Sequence, residues 1–298
     1  MVPFQFDHLR TLTALVDEGT FEAAARRLHV TSSAVSQRVR AMEQTAGKVL
    51  VQRTHPVRTT EAGDVVLRYA RQVLLLDEDT ITELRSGEQD RGRVSVPLAV
   101  NADSLSTWFL KALAARSDLG AVFEIHREDE EHTTSLLRSG RVMAAVTSTP
   151  EAVQGCTVTG LGTMRYHAVC SPEFNERHLD GRADPDLLRQ APVVDFDRRD
   201  ELQNRFLRGF VGSEPSGPRN HVPASEDFAH AVMLGFGWGV LPEAHCSTRI
   251  RSGELVELAP GHPVDVRLYW QRWNLRSSVL DRVSEAVCAG AAVHLHRL

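Results

Sequence analysis

Cysteine is scarce in this chain, and none of it is paired by spacing. Cys156, Cys170, Cys246 and Cys288 stand far apart with no C-x-x-C between them. That argues against a disulfide framework or a cysteine zinc site and predicts four reduced thiols. No apolar run reaches the length that crosses a bilayer. The opening MVPFQFDHLR has neither an apolar core nor a small-residue cleavage site, so it does not read as a secretory signal. The expected location is cytoplasmic, with no membrane partner. The histidines are dispersed and form no H-E-x-x-H, so no metal site is expected. There is no G-x-S-x-G, no P-loop and no G-x-G-x-x-G after a strand, which removes the common motif-borne enzyme classes. No internal repeat or low-complexity tract is present.

What is present is unevenly charged. The first sixty residues hold eight Lys/Arg against five Asp/Glu, a net of +3, which leaves −8 for the rest of a chain whose total is −5. A small basic head on a larger acidic body suggests a polyanion-binding module joined to something else. A length of 298 residues suits about two domains.

The head reads as three helices and a wing. Phe6, Leu9, Leu12 and Val16 form one apolar stripe, ended by Gly19. Thr20 caps a second helix with Phe21, Ala24, Ala25 and Leu28 inward. Thr31 caps a third, in which Val35, Val39 and Met42 share a face. Only HVT separates the second helix from the third, the spacing of a helix-turn-helix. In KVLVQRTHPVRTT, Val49 and Val51 alternate with polar residues and Pro56 marks a turn, so a two-stranded wing is expected. A long helix over 61–85 follows, capped by Thr60, with Ala62, Val66, Tyr69, Ala70, Val73, Leu76 and Leu84 at helical spacing. Its many apolar faces suggest packing against a copy of itself. SGEQDRGR, including Glu88, Asp90 and Arg91, reads as a hinge.

From residue 93 strands and helices alternate. VSVPLAV (94–100), AVFEIHRE (121–128) and VMAAVT (142–147) read as strands. LSTWFLKALAA (105–115) and HTTSLLRSG (132–140) read as helices. A second series begins near Tyr166, and VDVRLYWQRW with a helix from about Ser277 returns to the first. The fold class expected is α/β: a parallel sheet with crossover helices in each of two lobes, and a cleft between them. Trp108 and Trp238 are expected in the core, GFGWG as a turn, and the acidic run Glu128–Glu131 as a solvated loop.

The third helix poses the functional question. Its N-terminus carries small hydroxyls and its middle carries cations. Thr31, Ser32, Ser33, Ser36 and Gln37 are compact enough to approach base edges, and helix-start N–H groups favour phosphate oxygens. Arg38 and Arg40 follow, with Arg53 and Arg58 on the wing placed for phosphates. These nine residues are the candidate contacts to double-stranded DNA.

The stretch FEAAARRLHVTSSAVSQRVRAMEQTAGKVLVQRTHPVRTTEAG resembles the N-terminal signature of LysR-type transcriptional regulators. The shared pattern is an alanine-rich second helix, A-V-S opening the third, M-E, G, an arginine and T-x-A-G. The chain departs from it at Ser32–Ser33, where glutamine followed by proline or serine is commoner. The resemblance covers the whole chain and implies a winged helix-turn-helix (1–60), a dimerising linker helix with hinge (61–92) and a periplasmic-binding-protein-like effector domain (93–298). Lobe I would hold 93–165 and 269–298, and lobe II 166–268. NADSLSTWFLKALA, DFDRRDELQ and SEDFAHAVMLGFGWGVLP are similar to the LysG/ArgP subgroup, which senses lysine or arginine and controls export of basic amino acids. The resemblance implies no cofactor, L-lysine or L-arginine as effector, a homodimer or homotetramer, and RNA polymerase as a partner.

Ligands of open α/β sheets bind beyond the carboxyl ends of strands. Asn101, Asp103 and Ser104 lie there after the first strand, and Thr147 and Thr149 after the third. Asp195 and Asp197 end APVVDF, and Glu226 opens a later helix. Hydroxyls and N–H groups receive a carboxylate and the acids receive cations, as a basic amino acid requires. Asp103, Ser104 and Glu226 also have an ordinary reading as helix caps. Two other readings remain at this stage: an amino-acid-processing enzyme, which leaves the first ninety residues unexplained, and a nucleoid-type DNA-binding protein with no ligand.

Overall fold

A computed structural model describes residues 4–84, 94–127, 130–181 and 184–297. The hinge expected over 86–93 lies outside the described residues, as do Glu128 and Asp129. The head is built from α1 (Phe6–Glu18), α2 (Phe21–Leu28) and α3 (Ser32–Ala46), followed by a wing of β1 (Val51–Gln52) and β2 (Arg58–Thr59). The expected caps form. Thr20 accepts from the Ala23 N–H and Thr31 from the Ala34 N–H. His29, in left-handed backbone, turns the chain between α2 and α3.

Two details differ from the sequence reading. The buried face of α1 is Leu9, Thr11, Leu12, Ala14 and Leu15, while Phe6 is exposed and Val16 half-buried. The stripe is rotated because the head's core lies between α1, α2 and α3 and closes on Val35, Val39 and Met42. At the wing, Leu50 and Val51 are buried and Val49 is exposed. The reason is Glu43, whose carboxylate accepts the Leu50 N–H at 3.0 Å and so turns Leu50 inward.

The linker helix α4 (Glu61–Leu84) starts where T-x-A-G predicts. The Thr60 hydroxyl accepts the Gly63 N–H at 3.0 Å and donates to the Val49 carbonyl at 2.7 Å. Gly63 is required there, because a Cβ would sit 1.9 Å from the Leu50 carbonyl oxygen. Val66, Leu67, Ala70 and Leu75 are buried, whereas Val65, Tyr69, Leu76 and Leu84 are exposed. The helix therefore has a second, outward apolar face at spacings of four, seven and eight.

The body opens with β3 (Val94–Val100) and then α5 (Ala102–Ser104), a π-helical turn (Leu105–Phe109) and α6 (Leu110–Ala114). The helix thus starts three residues earlier than the apolar pattern suggests, because the Asn101 side chain caps it by accepting the Ser104 N–H at 2.7 Å. Next come β4 (Ala121–Arg127), α7 (Glu130–Ser139) and β5 (Ala144–Thr147). A 15-residue strand, β6 (Cys156–Cys170), follows. Then come α8 (Pro172–Leu179), α9 (Pro185–Gln190), β7 (Val193–Asp195), α10 (Leu202–Val211), β8 (Arg219–His221), α11 (Ser225–Met233) and β9 (Gly239–Pro242). The chain closes through α12 (Glu243–Ser252), β10 (Val256–Glu257), β11 (Val264–Trp273) and α13 (Ser278–His294).

The main sheet runs β10-β6-β11-β5-β3-β4, with β9 also paired to β6. The pairs β3–β4 and β3–β5 are parallel, as the alternating pattern predicts. The long strands β6 and β11 are antiparallel from Val264↔Tyr166 to Trp273↔Cys156 and cross between the two lobes. In the second lobe β7 and β8 pair in parallel, and Val193 bridges Trp238. Trp108 and Trp238 are core residues, as expected. Among the described residues no helix is long and apolar enough to cross a membrane.

Candidate effector cleft and nucleic-acid interface

The outward face of α3 is a stripe of Ser33, Gln37 and Arg40, all exposed, at spacings of four and three. Ser32 and Ser36 flank it half-buried, and Thr31 is held as the cap. The stripe carries no acid, since Glu43 is turned to the wing. Arg53 and Arg58 are exposed on the wing, with the Arg53 guanidinium 5.5 Å from the Phe21 ring centroid. Arg38 behaves differently from the other cations. It turns back onto α1, donating to Thr11 Oγ1 at 3.2 Å and to Asp7 Oδ2 at 3.2 Å. Asp7 and Thr11 stand one helical turn apart and together face α3, so Arg38 braces the head rather than joining the outward stripe.

A cleft of about 430 Å³ opens between the lobes, within the size range of small-ligand sites. Of the eight residues expected to line it, Asn101, Asp103, Thr147 and Asp197 do so. The other four lie elsewhere. Ser104 is fully buried beneath the first helical turn, its N–H taken by Asn101. Thr149 lies beyond the strand end, where its N–H donates to Thr147 Oγ1 at 3.0 Å and its carbonyl accepts from Gln271. Asp195 is buried and paired with Arg219 at 2.8 Å, on the far side of the 196–200 loop. Glu226 is exposed in the first turn of α11, outside the cleft.

Ser148, beside Thr147 at the same strand end, also lines the cleft, and other lining residues escaped the sequence reading: Arg127, Thr133, Tyr166, Asp200 and Ser225. Arg127 ends β4, so the strand-end rule that selected Asn101 also points to it. Tyr166 lies inside a strand and gives no such signal.

Asp103 is the centre of the polar arrangement. Its Oδ2 accepts from the Tyr166 hydroxyl at 3.0 Å, and its Oδ1 accepts from Ser225 Oγ. One carboxylate of lobe I thus holds the crossing strand and the start of α11. Burial pushes the Tyr166 hydroxyl well above the ordinary phenol range, and the Asp103 charge adds to it, so Tyr166 remains a donor. Across the cleft, Asp200 accepts the Phe196 and Leu202 N–H groups at 2.8 and 3.0 Å. Burial nevertheless holds its carboxyl above the usual range. Asp197 accepts the Arg199 N–H at 2.7 Å. Three acids, Asp103, Asp197 and Asp200, therefore share the cleft with two arginines: Arg127 at the end of β4, and Arg199, whose guanidinium pairs with Asp197 at 3.5 Å.

Residues 6–64 match the bacterial regulatory helix-turn-helix protein, lysR family, and residues 87–290 match the LysR substrate binding domain. The chain belongs to the LysR family. Like other members, this LysR-family chain joins a DNA-binding winged head to an effector-binding body. It is 44% identical, over 97% of its length and 98% of the relative's, to the lysine export transcriptional regulatory protein LysG of Corynebacterium efficiens. Among solved structures, ArgP from Mycobacterium tuberculosis superposes with a TM-score of 0.85 at 39% identity, covering 97% of this chain and 98% of that one. Full-length LysG from Corynebacterium glutamicum with bound effector Arg gives 0.75 at 39% identity, covering 98% and 99%. This LysR-family regulator is therefore similar over its whole length to regulators named for lysine export.

Proposed function

We propose that this chain is a transcriptional regulator of a basic amino acid exporter gene, switched by L-arginine or L-lysine in the cleft between the lobes. The observation that carries the reading is the cleft's charge pattern: Asp103, Asp197 and Asp200 outnumber Arg127 and Arg199 on its lining, in a chain similar throughout to a LysG with bound arginine. A basic amino acid carries two cations and one carboxylate. Arg127, Asn101, Thr147 and Ser148 suit the carboxylate. Asp103 suits the α-ammonium, and Asp197 with Asp200 suits the side-chain cation.

The organisation follows. Residues 1–60 form the DNA-binding head, 61–92 the linker and 93–298 the effector domain. Lobe I holds 93–165 and 269–298, and lobe II holds 166–268, divided where β6 and β11 cross. Ser33, Gln37 and Arg40 enter the major groove, with Ser32, Ser36, Arg53 and Arg58 on the backbone. The outward apolar face of α4, with Val65, Tyr69, Leu76 and Leu84, pairs with a second copy, giving a homodimer or homotetramer. RNA polymerase is the expected partner at the promoter, and the protein works in the cytoplasm without catalysis. The effector acts through its differential affinity for two arrangements of the molecule.

Calorimetry with L-arginine, L-lysine and L-citrulline tests the effector. The basic amino acids should bind, and citrulline, which is shaped like arginine but uncharged at its end, should bind at least about tenfold more weakly, as expected on losing a charge-assisted contact. Equal binding of citrulline, or none of the three, overturns the assignment. Footprinting on the DNA upstream of a neighbouring exporter gene, with and without each amino acid, tests the switch.

A further inference from the structure

Arg71 is the most deeply placed cation among the described residues of the linker helix, with a side chain 6% exposed. Its guanidinium forks between two domains. One nitrogen donates to Asp17 Oδ1 at the end of α1, in the head. Another donates to the carbonyl of Arg141, in the turn between α7 and β5 of the body. Asp17 in turn pairs with Arg27 of α2 at 3.0 Å. A continuous polar chain therefore runs from α2 through α1 and α4 to the effector domain.

The body meets α4 closely at the same place. Gly140 is at φ +77°, and a Cβ on it would lie 2.5 Å from the Cα of Arg68. Arg68 donates to the Arg138 carbonyl at 3.3 Å. Further along α4, Ser278 at the start of α13 donates to Asp79 at 3.0 Å.

The turn that grips α4 is tied to the cleft. It is the C-terminal end of α7, closed by N–H groups of Gly140 and Arg141 on the Leu137 and Leu136 carbonyls. Thr133, near the other end of α7, lines the cleft. From Thr133 to Arg141 the path is about 12 Å at helical rise. Leu137, fully buried against Ala99, Val142 and Ala145, keeps α7 rigid on the sheet. Strand β4 makes the same journey, with Arg127 in the cleft and Glu124 at the junction. The junction also borders an open groove of about 310 Å³ lined by Ala14, Asp17, Leu74, Glu124 and Met143. The groove leaves part of the contact between head and body unfilled by side chains.

We propose that Arg71 is a positioning residue that locks the DNA-binding head to the effector lobe of its own protomer, and that α7 carries the effector signal from Thr133 to this lock. The proposal rests on the cleft being the effector site. A ligand that displaces α7 moves the Arg141 carbonyl, and the fork on Arg71 passes that movement to Asp17 and the head. Arg71→Met removes the fork while leaving the Asp17–Arg27 pair inside the head, so the head keeps its own brace. Arg71 lies outside the cleft, so the arginine site itself stays intact and affinity should change only by the coupling that is lost.

The test compares full-length protein with its Arg71→Met and Asp17→Asn variants, using L-arginine as the probe. Calorimetry reads binding, and hydrogen exchange reads residues 10–18, 66–76 and 127–139. Both variants should still bind arginine, with affinity changed only by the lost coupling. Arginine should slow exchange in 127–139 in all three proteins. In 10–18 it should change exchange only in the parent, with the effect reduced at least fivefold in each variant. A variant that binds arginine and retains the full change in 10–18 overturns the proposal. If the parent itself binds no arginine, the effector reading fails. The lock is then decided by 10–18 without ligand: exchange faster in both variants than in the parent supports it, and unchanged exchange overturns it.

Discussion

The Tyr166 hydroxyl reaches Asp103 at 3.0 Å, which links the strand crossing between the lobes to the first helix of lobe I. Asp103 also accepts from Ser225, so any ammonium seated on it shares the carboxylate with two hydroxyls. Asp103→Asn should lower arginine affinity at least tenfold by calorimetry and leave DNA affinity without effector unchanged. Tyr166→Phe should cost stability of about 1.5–3 kcal/mol, the net worth of a hydrogen bond to a charged group. Unaltered arginine binding in Asp103→Asn would place the ammonium elsewhere.

On the DNA side, the two arginines of α3 should differ in kind. Arg40 is exposed on the outward stripe. Arg40→Ala should weaken DNA binding and lower the slope of log affinity against log salt by up to about 1, because one cation leaves the interface. Arg38 braces Asp7 and Thr11, so Arg38→Ala should reduce thermal stability and leave the salt slope unchanged. A salt titration of both variants, with melting curves, separates the two roles.

Acidity should act on the cleft through Asp200. Burial raises its carboxyl above the usual range, and the Phe196 and Leu202 N–H groups oppose the rise. A carboxyl raised in the folded state contributes stability that is complete below its unfolded value and lost as pH rises through the folded one. A cation brought to Asp200 favours the ionised form. Binding of arginine should therefore release protons in mildly acidic buffer, and affinity should climb with pH through that window. Calorimetry in two buffers of different ionisation heat measures the release. It should vanish in Asp200→Asn; proton uptake in the parent would contradict the assignment.

The cap of α3 supports the head. Thr31 Oγ1 accepts the Ala34 N–H at 3.1 Å. Thr31→Ala should destabilise the protein by about 1 kcal/mol, read by urea unfolding.

The sequence made the head legible because its signals are local. Thr20, Thr31 and Thr60 are caps, and their partners lie within three residues. The parallel strands β3, β4 and β5 were legible from apolar runs for the same reason. The first half of β6 was not, since Thr157, Thr159, Gly160 and Gly162 give it no apolar run, and only pairing with β11 makes them a strand. The cleft was half legible. Position at a strand's carboxyl end is readable, but the side of the loop a residue faces depends on distant partners. Asp195 turns to Arg219, 24 residues away, while Asp197, two residues on, lines the cleft. Arg38 shows the same limit: its partners on α1 are 27 and 31 residues distant.

The crossing of β6 and β11 carries one more implication. The two strands are hydrogen-bonded to each other through the crossing, from Val264↔Tyr166 to Trp273↔Cys156, so they form a ribbon rather than two independent tethers. A ribbon of that kind twists easily and stretches poorly. The lobes should rotate about it like the halves of a wrung cloth, and the angle reached, not the gap opened, would be the quantity that a bound amino acid sets.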